Sequence, residues 1–287
     1  MTSTNLLDGL SRVAGDYDAI FCDVWGVVHD GKRAFDPACE ALKRFRETRG
    51  PVVLITNAPV PKARVTGLFP KLGVPMDCFD DVVTSGDATR HELELHAPGP
   101  VYPIGLREDL SVYAGLDLRF TERAAEAKLI CCTSLREMPD GKPEAYAAEL
   151  KMLASFNLPM ICANPDLQFR YGDRLIWAAG ALAQLYEQLG GAVIRPGKPD
   201  APIYNLAFER AAAIAGAQIA PSRVLGVGDG PVTDVAGAVK QGIDALFIGG
   251  GIHGHTMSTG EGFLASALQV LEADGVAARY AMPELIW

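Results

Sequence analysis

The 287-residue sequence has no apolar stretch near the roughly 18–20 uninterrupted residues that a membrane-spanning helix requires. It also lacks a sustained basic run. The densest, Lys43-Arg44-Phe45-Arg46, is followed by Glu47 and reads as a solvated helix face. With 26 basic against 35 acidic residues and a net charge of -9, no row of cations is available to neutralise phosphates, so neither nucleic acid nor an anionic membrane is expected as a partner. The opening MTSTNLLDGLSRVAGDYD has no basic leading region and sets Asp8 within its apolar patch, which does not read as a secretory signal.

Other absences are chemical. The six cysteines (Cys22, Cys39, Cys78, Cys131, Cys132 and Cys162) form no Cys-x-x-Cys pair, which removes support for a zinc site. That pattern, with some of the six in apolar, strand-like runs, suggests reduced, buried thiols and hence a cytoplasmic setting. No G-x-x-x-x-G-K-[ST] loop occurs, so ATP use is not indicated. The stretch Gly226-Val227-Gly228-Asp229-Gly230-Pro231 lacks the third glycine of a dinucleotide loop and puts an acid where a pyrophosphate would approach. There is no internal repeat and no low-complexity tract.

What is present is a globular chain, 49% hydrophobic, long enough for two domains of ordinary size. Short apolar runs (Ala19–Cys22, Val52–Ile55, Val224–Val227, Ala245–Ile248) alternate with helical patterns. Continuous apolar strands of this kind belong to parallel sheets covered on both faces, so the fold expected is α/β, with a Rossmann-like parallel-sheet core. Asp36 reads as the cap of the first helix, with Pro37 at its first position and Gly50 closing it. Further helices are expected over Lys62–Leu72, where Gly67 and Pro70 weaken the pattern, and over Glu144–Ala154, Ala179–Leu189, Pro202–Ala213, Thr233–Gln241 and Gly262–Ala273. The middle of the chain differs, with strand candidates at Val101–Ile104, Leu129–Cys132 and Met160–Cys162 and a hairpin over Phe169–Leu175. Residues 87–190 therefore read as a smaller α/β domain inserted into a core made of 1–86 and 191–287.

In open parallel sheets, ligands bind beyond the carboxyl ends of the strands. The residues at those ends here are Asp23, Thr56-Asn57 and Asp229, with Lys198 after the run Ala192-Val193-Ile194 and Asp234 at the start of the next helix. Carboxylates without histidine or cysteine companions are hard oxygen ligands suited to Mg2+. A lysine and glycine-rich turns suit a phosphoryl group, and an aspartate can attack phosphorus to form an acyl phosphate. The combination suggests magnesium-dependent phosphoryl transfer.

The segments Asp23-Val24-Trp25-Gly26-Val27-Val28, Leu54-Ile55-Thr56-Asn57, Gly197-Lys198-Pro199 and Gly228-Asp229-Gly230-Pro231-Val232-Thr233-Asp234 resemble, in order, the four motifs of the haloacid dehalogenase-like (HAD) hydrolases. An insert of about a hundred residues between the second and third motifs is similar to the cap of class IIA, the NagD-like sugar-phosphate and nitrophenyl phosphatases. The resemblance implies a phosphatase for a small phosphorylated metabolite. It makes Asp23 the nucleophile and a magnesium ligand, and gives Thr56 and Asn57 the phosphoryl group. Lys198 would neutralise charge, and Asp229 and Asp234 would serve the metal, together with the backbone carbonyl of Trp25.

Trp25 is also the departure from the pattern. Family phosphatases carry there an aspartate that protonates the leaving group and then activates water, and indole has no proton to exchange near neutral pH. Loss of such help typically costs ~10²–10⁴-fold in rate, so a slow phosphatase favouring good leaving groups is expected. His29 and Asp30 are the nearby candidates for substitutes. The alternatives are a metabolite- or phosphate-binding protein without useful turnover, and metal-free dehalogenation, against which Asp229 and Asp234 argue. Asn164-Pro165-Asp166 resembles a substrate-facing cap loop, although an ordinary Asn-Pro turn fits equally. His253 and His255 read as a surface loop, Trp177 and Tyr171 as cap core. The sequence leaves the substrate and the oligomeric state open, a homo-oligomer included.

Overall fold

The computed structural model describes residues 4–106, 110–171, 174–252, 254 and 257–287, and of Arg170 and Tyr171 only the backbone. The chain divides into two compact units, one of residues 1–56, 66–83 and 199–287, the other of 57–65 and 84–198. The first unit contains, but for Thr84 at the end of the last strand, a seven-stranded sheet in the spatial order Asn5–Leu6, Tyr280–Met282, Asp244–Ile248, Val224–Gly228, Ala19–Cys22, Val52–Thr56, Asp81–Thr84. Its pairs from Asn5–Leu6 across to Val52–Thr56 are all parallel, which makes the sheet Rossmann-like as expected. Every residue of Ala19–Cys22 and Val224–Gly228 is buried. That burial on both faces is why these runs are continuously apolar rather than alternating.

The second unit has its own parallel sheet, ordered Val193–Ile194, Met160–Cys162, Leu129–Cys132, Val101–Ile104, and an antiparallel hairpin of Gln168–Tyr171 with Arg174–Trp177. The core on one side of the sheet is built from Leu150, Leu153, Leu182 and Tyr186, with Trp177 packed against it; Leu93, Val112 and Ile161 belong to a second cluster. All six cysteines are buried and none forms a disulfide. Burial raises the Cys131 and Cys162 thiols to about 12, which keeps them protonated and unreactive. Among the described residues, no helix is long and apolar enough to cross a membrane.

Several local expectations change. The first helix spans Asp36–Thr48 with Phe35 at its cap, so Asp36 is the first helical residue. There its charge faces the positive end of the helix dipole instead of capping an N–H. The span Lys62–Leu72 splits into Lys62–Thr66 and Phe69–Leu72, because Pro70 starts a new helix rather than continuing the old one. The helix Ser85–Leu95 was not evident from its Ser-Gly-Asp start. Thr84 caps it, accepting the Asp87 N–H and donating to the Asp87 carboxylate, both at 2.9 Å. The segment expected to be helical over Thr233–Gln241 begins as a wide turn, Pro231–Val235, in which the Val235 N–H reaches back to Gly230 O at 3.1 Å.

Candidate active site

Three carboxylates meet in the first unit. Asp23 follows Ala19–Cys22 and donates its N–H to Val227 O on the neighbouring strand at 2.8 Å; Asp229 follows Val224–Gly228, and Asp234 lies in the wide turn. All three are buried, and each offers an oxygen within 4.8 Å of the others. The parallel register of Val224–Val227 against Ala19–Cys22 brings the ends of the two strands level and so sets Asp23 beside Asp229.

Backbone groups fix two of the side chains. Asp229 Oδ2 accepts the Ile252 N–H at 2.5 Å, and Asp234 Oδ2 accepts the Gly230 N–H at 3.0 Å. Glycines leave the room. A Cβ at Gly26 would lie 2.1 Å from Asp229 Oδ2, one at Gly251 only 1.9 Å from the same atom, and one at Gly228 2.2 Å from Asp234 Cγ. Gly26 also has φ +87, a conformation that costs other residues about 1–2 kcal/mol. These glycines are a part of the site that the motif spacing alone did not reveal. Three buried carboxylates this close repel one another unless protons or a cation offset them, and an all-oxygen donor set fits a hard divalent cation.

Trp25 packs back on its own loop. Its indole meets His29 edge-on at a centroid distance of 5.1 Å, and Gly31 lies so close that a Cβ there would be 2.6 Å from the ring. His29 in turn meets Phe69 edge-on at 6.2 Å. Burial lowers the His29 pKa to about 4 against the opposing charge of Asp30, and Nδ1 accepts the Gly31 N–H at 3.1 Å. Asp30 Oδ1 accepts the N–H groups of Lys32 and Arg33, both at 2.8 Å. Burial pushes the Asp30 carboxyl up, but those N–H groups outweigh it and hold the pKa below its ordinary value. Both candidate proton carriers are thus engaged in shaping the loop.

Thr56 is buried at the end of its strand, and Asn57, next in the chain, belongs to the second unit with Asn164, Asp166 and Lys198. The Asn57 carboxamide hydrogen-bonds the Lys198 main chain and donates to Asp166 Oδ1 at 2.9 Å. Asn164 Oδ1 accepts the Asp166 N–H at 3.1 Å, the Asx turn anticipated for Asn-Pro. The link from Asp166 to Asn57 spans 109 residues and left no signal in the sequence. His253 and His255 lie outside the described residues.

Comparison with known proteins gives two family matches: residues 20–119 match "Haloacid dehalogenase-like hydrolase", and residues 195–273 match a HAD-hydrolase-like family. No curated protein matches the chain. A solved hydrolase of the haloacid dehalogenase-like family from Brucella suis 1330 is 41% identical, with 98% of this chain and 100% of that one covered and a TM-score of 0.86. Two more distant structures share the fold. One, from Cytophaga hutchinsonii, is described as a "possible sugar phosphatase, HAD superfamily" (19% identity, 99% of both chains, TM-score 0.79). The other is a p-nitrophenyl phosphatase from Archaeoglobus fulgidus (20% identity, 94% of this chain and 97% of that one, TM-score 0.65).

Proposed function

The chain belongs to the haloacid dehalogenase-like hydrolase family, and on that premise we propose that it is a magnesium-dependent phosphatase acting on a small, sugar-phosphate-like metabolite. The observation that carries the reading is the buried group of Asp23, Asp229 and Asp234. Under it, 1–86 and 191–287 act as the catalytic core and 87–190 as the cap, Asn164 and Asp166 are candidates for substrate contact, and the protein works in the cytoplasm. The fold shared with a p-nitrophenyl phosphatase and a "possible sugar phosphatase" suggests which substrates to try first.

In the proposed reaction, a carboxylate oxygen of Asp23 forms a bond to phosphorus while the bond from phosphorus to the substrate oxygen breaks. The leaving oxygen takes a proton from solvent. Water then attacks the same phosphorus, the aspartyl–phosphorus bond breaks, and phosphate leaves with one of the water's protons while the other goes to solvent. Thr56 and Lys198 serve the phosphoryl group directly, and Asn57, whose carboxamide is bonded to the Lys198 main chain and to Asp166, serves it through Lys198. Asp23, Asp229, Asp234 and the Trp25 carbonyl would hold magnesium, which when bound offsets the charge of carboxylates and phosphoryl oxygens. Because Trp25 has no group that ionises near neutral pH, leaving groups that depart as stable anions react fastest.

Asp23→Asn is expected to lower magnesium-dependent hydrolysis of p-nitrophenyl phosphate by at least about 10³-fold, the scale of losing a covalent nucleophile. A variant as active as the parent would sink the assignment. One observation favours a second reading, a binding protein without useful turnover: His29 and Asp30 are both committed to their own loop. Calorimetry with sugar phosphates separates the two, since heat of binding with no phosphate released over hours selects the binder.

A further inference from the structure

Asn57 is 3% exposed, and the donors of its carboxamide are fully used. Oδ1 accepts the Lys198 N–H at 2.8 Å, while Nδ2 donates to Lys198 O at 3.1 Å and to Asp166 Oδ1 at 2.9 Å. An amide nitrogen has two hydrogens, and two acceptors are present for them. The assignment of O and N is fixed by the same network, because a flipped amide would set its NH2 against the Lys198 N–H. Asn57 therefore pairs with both main-chain groups of Lys198, much as a residue of an adjacent strand would, although 141 residues separate them.

The turn that carries Lys198 has no slack. A Cβ at Gly197 would lie 2.5 Å from both Asn57 Oδ1 and Ser85 Oγ, and 2.9 Å from Pro165 Cδ. Asp166 is itself held by Asn164 through its N–H. One carboxamide thus joins three segments that each follow a strand: Asn57 itself, 163–166 and 195–198. Lys198 is 2% exposed, so its ammonium sits at the end of four rotatable bonds in a buried setting where the backbone origin decides what it can reach.

We infer that the Asn57 side chain is a positioning residue: it acts on the reaction through Lys198, by fixing the backbone from which the ammonium projects, with Asp166 orienting the carboxamide. Its kinetic consequence rests on the phosphatase reading; its structural consequence does not.

The experiment has two arms, both on the full chain. In the first, amide hydrogen exchange is followed in the parent and in Asn57→Ala, with Asn57→Ser as the milder variant should the alanine protein not fold. The Lys198 N–H is expected to exchange at least about 10-fold faster once its acceptor is gone, while amides of the strand Leu129–Cys132 stay unchanged. An unchanged Lys198 amide overturns the inference. In the second arm, the same substitution is made in the parent and in Lys198→Ala, and kcat for p-nitrophenyl phosphate and competitive inhibition by inorganic phosphate are measured. A loss of about 10–100-fold in kcat in the parent is expected to shrink below about 3-fold in the Lys198→Ala background, since coupled residues are non-additive. Equal losses in both backgrounds, with phosphate inhibition weakened in each, would make Asn57 a direct phosphoryl ligand and overturn the proposal. A parent without turnover sinks the phosphatase reading and leaves the exchange arm to decide the inference.

Discussion

At the scale of single residues, His29 shows how burial sets a pH dependence. Its folded pKa of about 4 lies below the ordinary 6.5, so the native state disfavours the proton that the unfolded chain accepts. Stability from this group is complete above pH 6.5 and is lost as pH falls toward 4, by about 3 kcal/mol in all. Asp30 is the charged neighbour that opposes the shift. In His29→Asn, whose side-chain oxygen can still accept the Gly31 N–H, urea unfolding at pH 6.5 and pH 4 should show a correspondingly smaller acid loss; an unaltered pH slope would contradict the assignment. Gly251 makes a second point, because its missing Cβ is the space the Asp229 carboxylate occupies. Gly251→Ala is expected to reduce sharply the rise in melting temperature that magnesium confers on the parent, since stabilisation by a ligand follows its affinity for the native state. An equal rise in both proteins would separate Asp229 from the metal. Asp23, Asp229 and Asp234 were legible as chemistry-bearing residues because each stands where an apolar strand or its following helix begins or ends. The glycines around them were not, because a steric requirement appears only once two distant segments approach.

Among the elements, strands buried on both faces were the clearest to read. Ala19–Cys22 and Val224–Gly228 needed no periodicity, only their apolar continuity, and both lie where expected. The strands Asn5–Leu6, Asp81–Thr84 and Tyr280–Met282 were not evident, being short or begun by a polar residue, and their pairing comes from the sheet rather than from local preference. Packing of the sheet on its helices should be equally measurable. Phe21, on a central strand, meets Phe208 of the helix Ala201–Ala215 edge-on at 5.0 Å. Phe21→Ala is expected to cost about 3–5 kcal/mol, seen as a lower urea midpoint at unchanged slope. A cost under about 1 kcal/mol would mean that the contact does not support this part of the core. The helix ends were harder: Asp36 was expected to cap and instead entered the first turn, since a charge there is stabilised by the helix dipole without a hydrogen bond.

For the molecule as a whole, the three carboxylates belong to one unit, so a metal should stiffen one part of the chain selectively. Magnesium is expected to slow amide exchange in 23–31, 224–235 and 249–252 while leaving the sheet formed by Val101–Ile104, Leu129–Cys132 and Met160–Cys162 unchanged. Equal slowing throughout would place the ion elsewhere. The α/β class, the buried thiols and the order of the strand-end acids were legible along the chain, because apolar runs, cysteine spacing and residues at strand ends are local properties. It took the folded chain to show that three of those acids share one buried space, that the Trp25 indole folds back on His29 and Gly31, and that Asn57 is bound to the Lys198 main chain. The first and last depend on the register of paired strands and on loops brought together across more than a hundred residues, which no single stretch of the chain encodes, whereas the fold-back of Trp25 is a conformation of its own loop set by burial against its neighbours.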